Sequence, residues 1–167
     1  MTVDSAILRA TMRQWATGVT IVTTVWEGEY AGMTVSSFTS VSLEPATVLV
    51  CLNKESYSHE LVQKSGVFAI SMLGTGQDAI SNRFAGFDPT VTDRFEGMKL
   101  FTAATGSPML ADAAAYLDCE VRSTQDTSTH VIYIAEVVYA QVDPDRAPLV
   151  YYNRNYHLLT AVEPTNS

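Results

Sequence analysis

The sequence predicts a mainly β protein, an antiparallel sheet closed into a barrel with a few short helices packed at its ends. Three observations lead there. About seven segments are rich in β-branched and aromatic residues, several of them with a period of two. Helical spacing is confined to short stretches. Only one or two connections are long enough to cross over between parallel strands. With 167 residues, 47% of them hydrophobic, the chain suits one domain with its own core.

The elements follow in order. Residues 4–15 read as a helix capped by Asp4 or Ser5, with Ile7, Leu8, Thr11, Met12 and Trp15 at helical spacing and Gly18 past its end. The run VTIVTTVW, the turn EGE and the run YAGMTVSSF read as a hairpin. SVSL stops at Glu44-Pro45, and TVLVCLN reads as a buried strand. SYSHELVQKSG reads as a short helix capped by Ser56 or Ser58, with Gly66 after it. VFAISML is a further strand. Thr75 with Asp78 has the spacing of a loose capping box for a helix through Ile80 and Phe84. Residues 86–108 are loop-like, with Gly86, Pro89, Gly97, Gly106 and Pro108. Leu117, Cys119 and Val121 then alternate with Asp118, Glu120 and Arg122, which predicts one buried face and one wet face. QDTST turns, HVIYIAEVVYAQV is a long strand, and PLVYY is a last short one.

Charge narrows the partners. Ten Lys+Arg against 18 Asp+Glu leave a net charge of −8, which argues against nucleic acid and against an anionic membrane surface. Charged residues are only 17% of the chain, a composition that fits a surface partly covered by a second subunit. Asp4 and Arg9 fall where a signal peptide would have its apolar core. The longest apolar candidate, VIYIAEVVYAQV, carries Glu136, and no run approaches the ~20 residues of a membrane span. The expectation is a soluble, cytoplasmic protein. Cys51 and Cys119 read as small core residues, with no disulfide framework and no metal site.

Hydrolytic, zinc-protease, Walker and dinucleotide-fold motifs are absent, and His59, His130 and His157 lack ligand spacing. Three polar segments stand beside strands. GMTVSSFTSVSL, at 32–43, concentrates hydroxyls that suit a phosphate cradle or a flavin edge, and equally a solvated strand face. CLNKESYSHE, at 51–60, opens a helix whose free N–H groups suit an anion, or simply an ordinary capped helix. In NRFAG, at 82–86, Arg83 suits a phosphate or the dipole of its own helix. His130 is read either as a structural or as a functional histidine. Tyr151, Tyr152 and Tyr156 are read as core, interface or ligand platform.

Taken in order, these segments resemble the flavin reductases of two-component flavin-dependent monooxygenases. WATGVTIVTT (15–24), GMTVSSFTSVSLEP (32–45), LVCLNKESYSHELV (49–62), SGVFAISMLGTGQDAISNRFAG (65–86), LDCEV (117–121), HVIYIAEV (130–137) and PLVYYNRNY (148–156) carry the resemblance, from about Met12 to Leu159. It implies one flavin reductase domain over 1–167, with a Greek-key, FMN-binding split barrel at about 18–159 and the helix at 4–15 before it. It implies a homodimer of interlocked barrels with flavin near the subunit interface. Gly32, Met33, Thr34, Val35, Ser36 and Ser37 would meet the flavin ring and ribityl chain. Asn53, Lys54, Ser56, Ser58 and His59 would continue that site, with Arg83 and Phe84 near the phosphate or adenine. His130, with Tyr152 and Tyr156, would lie by the nicotinamide.

The activity implied is hydride transfer from NADH to FAD or FMN. Reduced flavin would then leave by diffusion for a separate monooxygenase. Such chemistry needs no protein nucleophile and no metal. The alternative is a protein of the same fold that keeps its flavin, as an electron carrier or an oxidase. Three positions depart from the family pattern: Thr129 stands where an acid usually precedes the histidine, Ala135 where a glycine precedes Glu-Val, and Asn155 where a glycine precedes the last tyrosine. Asn155 would keep the turn, because asparagine tolerates positive φ.

Overall fold

The computed structural model describes residues 2–162. The order is α1 (Ser5–Met12), β1 (Thr17–Gly18), β2 (Thr20–Trp26), β3 (Glu29–Val35), β4 (Phe38–Leu43), β5 (Ala46–Asn53), α2 (Tyr57–Ser65), β6 (Val67–Met72), α3 (Asp78–Ala85), β7 (Leu100–Phe101), β8 (Met109–Leu110), β9 (Ala115–Asp126), β10 (His130–Val142), β11 (Val150–Tyr152) and β12 (Asn155–His157). Seven strands form one sheet in the order β3-β2-β6-β9-β10-β5-β4, antiparallel at every pairing. Its two edges, β3 and β4, are consecutive in the chain and joined only by Ser36 and Ser37. From Val35 to Phe38 the backbone reaches at most ~11 Å. The edges of a flat seven-stranded sheet would stand about 29 Å apart. The sheet therefore curls until its edges nearly meet, and the edges remain unpaired with each other: an antiparallel split barrel, as expected.

The barrel interior is filled by Val22, Val35, Val48, Val50, Leu52, Phe68, Ile70, Cys119, Val131, Tyr133 and Ala135. β5 and β6 lie three places apart in the sheet, so α2 has to cross the barrel mouth between them. It buries Leu61 and Val62 there, and Val62 joins the barrel core. Ser56 caps α2, its Oγ accepting from the His59 amide at 3.2 Å. Gly66, at φ +70°, ends the helix and turns the chain into β6. β2 is buried on both sides because a second cluster lies outside the barrel: Val19, Ile21, Leu73, Phe84, Leu110 and Leu149 pack under α3 and the C-terminal hairpin. The β2–β3 turn is the two-residue type that matches strand twist, with Glu27 at φ +50° and Gly28 at +85°.

Several local expectations change. α1 stops at Met12, three residues short of the expected end, so Trp15 lies beyond it. Ser56 rather than Ser58 caps α2, and Ser58 is buried in its first turn. Thr75 does not cap α3, which begins without a side-chain cap; its Oγ1 donates to the Ala147 carbonyl instead. β5 is buried on one face only, with Leu49 and Cys51 half-buried on the other. The last short strand is followed by β12, and the positive φ of their turn falls on Asn153 (+46°) and Arg154 (+67°), not on Asn155. Ala135, at a register shift between β9 and β10, points its methyl into the barrel core.

Asp118 is the largest departure. It is fully buried, although the alternation of β9 predicts a wet face. The loop from 102 to 108 folds over that face, and the carboxylate accepts from the Thr105 amide at 2.7 Å and from the Thr105 hydroxyl. Asp118→Ala would leave the half-buried Thr105 amide without its acceptor. The expected loss is about 2–3 kcal/mol, seen as a Tm lower by roughly 5–10 °C. An unchanged Tm would show that this loop adds nothing to the fold.

The plug carries its own titrating group. The His59 ring is buried, with Nδ1 2.8 Å from the Tyr133 hydroxyl inside the barrel. Burial pushes its pKa below the ordinary 6.5, and the Lys54 charge pushes the same way. The unfolded chain therefore takes up this proton more readily. Stability from this source is full above about pH 6.5 and is lost as pH falls from there toward the lowered folded value. His59→Asn retains a hydrogen-bonding group near Nδ1 but does not titrate. Thermal melts from pH 8 to 5 should show a smaller loss in the variant than in the parent; parallel curves would refute the assignment.

Candidate active site

Segments 30–34, 55–58, 84–85 and 92–95 surround a cavity of about 570 Å³. β3 supplies Gly32, Met33 and Thr34; the α2 start supplies Ser56, Tyr57 and Ser58; the α3 end supplies Phe84. The wall closes because residue 32 is glycine. A Cβ there would fall 2.8 Å from the Phe84 ring and 3.0 Å from the Phe95 ring. Those rings meet edge to face at 5.1 Å, and Tyr30 stacks on Phe95 at 5.8 Å. Arg94 fastens the same wall, its Nη1 donating to the carbonyls of Gly32 and Phe84 at 3.0 Å each. Thr34 Oγ1 donates to the Ser81 carbonyl at 2.6 Å and ties β3 to α3.

The opposite wall is the N-terminus of α2. Ser56 Oγ satisfies the His59 amide, and the Tyr57 and Ser58 amides have no acceptor among the described residues. Two free N–H groups at the positive end of a helix form a site suited to an anion. Glu55 and Asp93 also line the cavity, so the positive character is local to the helix end.

Other expected residues lie outside this cavity. Arg83 faces away from it, Nη2 donating to the Asp93 and Glu96 carbonyls at 2.8 Å each, with Nε buried and unpaired. It braces the loop that Arg94 and Phe95 project from. Lys54 and His59 line a shallower hollow that shares Glu55, Ser56 and Tyr57. Lys54 Nζ pairs with Asp126 at 2.7 Å, and its amide donates to the Thr129 carbonyl at 3.0 Å. This staple fastens the β9–β10 turn to the α2 start. Asn53 Oδ1 accepts from the Glu55 amide at 3.0 Å, and Asn53 pairs with His130 across β5 and β10. His130 is exposed, its Nδ1 2.8 Å from Thr129 Oγ1. A hydroxyl thus orients the imidazole where the family pattern has an acid.

Val35 points into the barrel core. Ser36 and Ser37 lie on the far side of β3, in clefts shared with Trp15 and Thr17, and Ser37 Oγ donates to the Cys51 carbonyl at 2.8 Å. Tyr152 donates to Gln14 Oε1 at 2.9 Å. Tyr156 donates to Ser81 Oγ at 2.9 Å and Asn82 Oδ1 at 2.8 Å. Among the described residues, none of the cavities above is lined by His130, Tyr152 or Tyr156. Both cysteines are free, and burial raises each thiol, Cys119 to about 12. Neither is a ready nucleophile. Arg94, Phe95, Tyr30 and Tyr57 were missed. Arg94 sits in a loop ten residues from Phe84 and 62 from Gly32, and no local pattern announces such a contact.

Comparison with known proteins identifies the family. Residues 12–160 match the flavin reductase like domain. The FMN reductase (NADH) RutF of Ancylobacter novellus is 39% identical over 149 residues, 89% of this chain and 82% of that protein. HsaB of Rhodococcus jostii, the reductase subunit of a flavin-dependent monooxygenase, is 33% identical over 162 residues, 97% of this chain and 80% of that one. The solved structure of the Streptomyces globisporus NADH:FAD oxidoreductase SgcE6 superposes with a TM-score of 0.88 at 32% identity, covering 96% of this chain and 98% of its own. With its domain matched over nearly the whole length, the chain belongs to the flavin reductase family.

Proposed function

We propose that this chain is an NADH-dependent flavin reductase that provides reduced FAD or FMN to a separate flavin-dependent monooxygenase. The observation that carries this reading is the convergence of Gly32–Thr34, Ser56–Ser58 and Phe84 on one cavity beside a helix N-terminus with two free amides. The donor set fits a flavin nucleotide. The Tyr57 and Ser58 amides suit its phosphate, and Met33, Phe84 and the β3 backbone suit an apolar, planar body. When both ligands are bound, the nicotinamide supplies a hydride and the flavin ring accepts it. The chain itself holds the ligands in place and limits access of water. The Lys54 staple holds the turn that precedes His130, and Thr129 contacts the His130 Nδ1. In that position the imidazole binds the nicotinamide rather than moving a proton.

The working unit is a homodimer of single-domain chains. α1 has apolar Ile7, Leu8 and Met12 on it, yet all are more than half exposed, and no residue of the helix is buried. Edge strand β4 leaves Leu43 87% exposed. A second copy covering these surfaces gives them the burial that a lone chain lacks. Two free cysteines suit the reducing cytoplasm. Among the described residues no helix is long and apolar enough to cross a membrane.

The reading predicts rapid NADH oxidation by the purified protein with added FAD or FMN. His130→Ala should raise the KM for NADH by tens-fold or less, the weight of one hydrogen bond or stack of roughly 1–2 kcal/mol, with little change in flavin KM. A protein that holds stoichiometric flavin through purification and does not oxidise NADH would be a flavin carrier or oxidase instead. Sedimentation at micromolar concentration should show a dimer; an 18.2 kDa species alone would refute that assembly.

A further inference from the structure

Most of the positive charge of this acidic chain is already committed. Of ten Lys and Arg side chains, Lys54, Lys64, Arg122 and Arg146 pair with carboxylates, and Arg83 and Arg94 donate to main-chain carbonyls. Arg9, Arg13, Lys99 and Arg154 have no carboxylate partner among the described residues. The three arginines of that group line one cleft of about 440 Å³, and no Asp or Glu lines it.

The cleft is assembled by contacts far apart in sequence. The Asn153 amide donates to the Arg13 carbonyl at 3.2 Å, and Tyr152 reaches Gln14, so the β11–β12 turn docks on the end of α1. The dipole of α1 accounts for arginines at its C-terminal end. It does not account for Arg154, which comes from the opposite wall at φ +67°, a conformation that favours glycine. Ser36 and Ser37 complete the floor, and their amides donate to no group among the described residues. Arg9 spends two donors on Ser5, and Ser37 Oγ donates to the Cys51 carbonyl; the remaining guanidinium N–H groups, the Ser36 hydroxyl and the free amides are a donor set for a phosphate or diphosphate.

The position on the sheet indicates which phosphate. The Cys51 amide donates to the Ser37 carbonyl, and Asn53 pairs with His130. The 36–37 link and His130 therefore flank the end of β5, about two strand spacings or ~10 Å apart. The α2 cavity lies on the other side of β3, separate from this cleft. We infer that the cleft between α1 and the β11–β12 turn holds the diphosphate of the nicotinamide dinucleotide. From there the dinucleotide extends over Ser36–Ser37 toward His130. The inference rests on the NADH-dependent reading above, and it gives the two phosphorylated substrates separate anchors.

Arg154→Gly tests it with little risk to the fold, because glycine suits φ +67°; Arg13→Gln is the second variant. Steady-state kinetics should show KM for NADH raised about tenfold or more in each, as expected for one lost charge-assisted contact, with flavin KM changed less than about twofold. Calorimetric titration of the protein with ADP-ribose, without flavin, should show saturable binding that weakens with salt and is lost in Arg154→Gly. Unchanged NADH KM and ADP-ribose affinity in both variants would overturn the proposal while leaving the reductase reading intact. So would a rise in flavin KM alone, which would assign the arginines to the flavin phosphate. Monomers in sedimentation with unchanged NADH KM would overturn it too, assigning the arginines to assembly. If the parent protein binds ADP-ribose through Arg154 but oxidises no NADH, the reductase reading fails and the phosphate anchor stands.

Discussion

Ser36 and Ser37 have to span the gap between the two edges of a seven-stranded sheet, and that short reach organises the rest of the molecule. A link of two residues leaves no room for a flat sheet, so the strands curl and enclose the apolar side chains of β2, β5, β6, β9 and β10. Closure also opens a mouth that α2 must cross to get from β5 to β6. The crossing brings the positive end of that helix against β3, and with it the anion-suited amides of Tyr57 and Ser58. The end of β3 lines the large cavity through Thr34, and the link that follows it lines the arginine cleft through Ser36 and Ser37.

Arginines do much of the fastening from outside the barrel. Arg83 satisfies two main-chain carbonyls of a loop that has little regular structure of its own, and Arg94 reaches from that loop to the carbonyls of Gly32 in β3 and Phe84 in α3. A buried carbonyl without a donor is costly, and a guanidinium supplies several donors in a fixed plane. This use of positive charge as mechanical bracing explains how an acidic protein keeps an irregular wall in register beside its cavity.

What was legible in the sequence followed short-range rules. The β2–β3 hairpin, the Ser56 cap and the Gly66 stop each depend on residues within a few positions, and each was found. The resemblance pointed to the segment 32–34 and to Ser56, Ser58 and Phe84 by their order along the chain, and the fold brings these residues to one cavity. Asp118 was misread because alternation describes a strand with open water beyond it, and here a distant loop covers the wet face. Thr75 does not cap α3 because the helix starts at Asp78 with Gln77 in the cap position, and the Thr75 hydroxyl donates to Ala147, 72 residues away. Asn155 was assigned the positive φ that the turn places one and two residues earlier. Arg94 had no local signature at all; only the close approach of Phe84 to Gly32 defines its place.

The burial of Cys119 has a chemical consequence for a protein that handles reduced flavin. Free reduced flavin reacts with dioxygen and yields peroxide, so such a protein works beside a source of oxidant. Peroxide attacks the thiolate, not the thiol. With a pKa of about 12, Cys119 is a thiolate in only about one part in 10⁵ at neutral pH. Cys51 is raised in the same direction by partial burial. The packing of the barrel thereby also leaves both thiols chemically quiet toward the by-product of turnover.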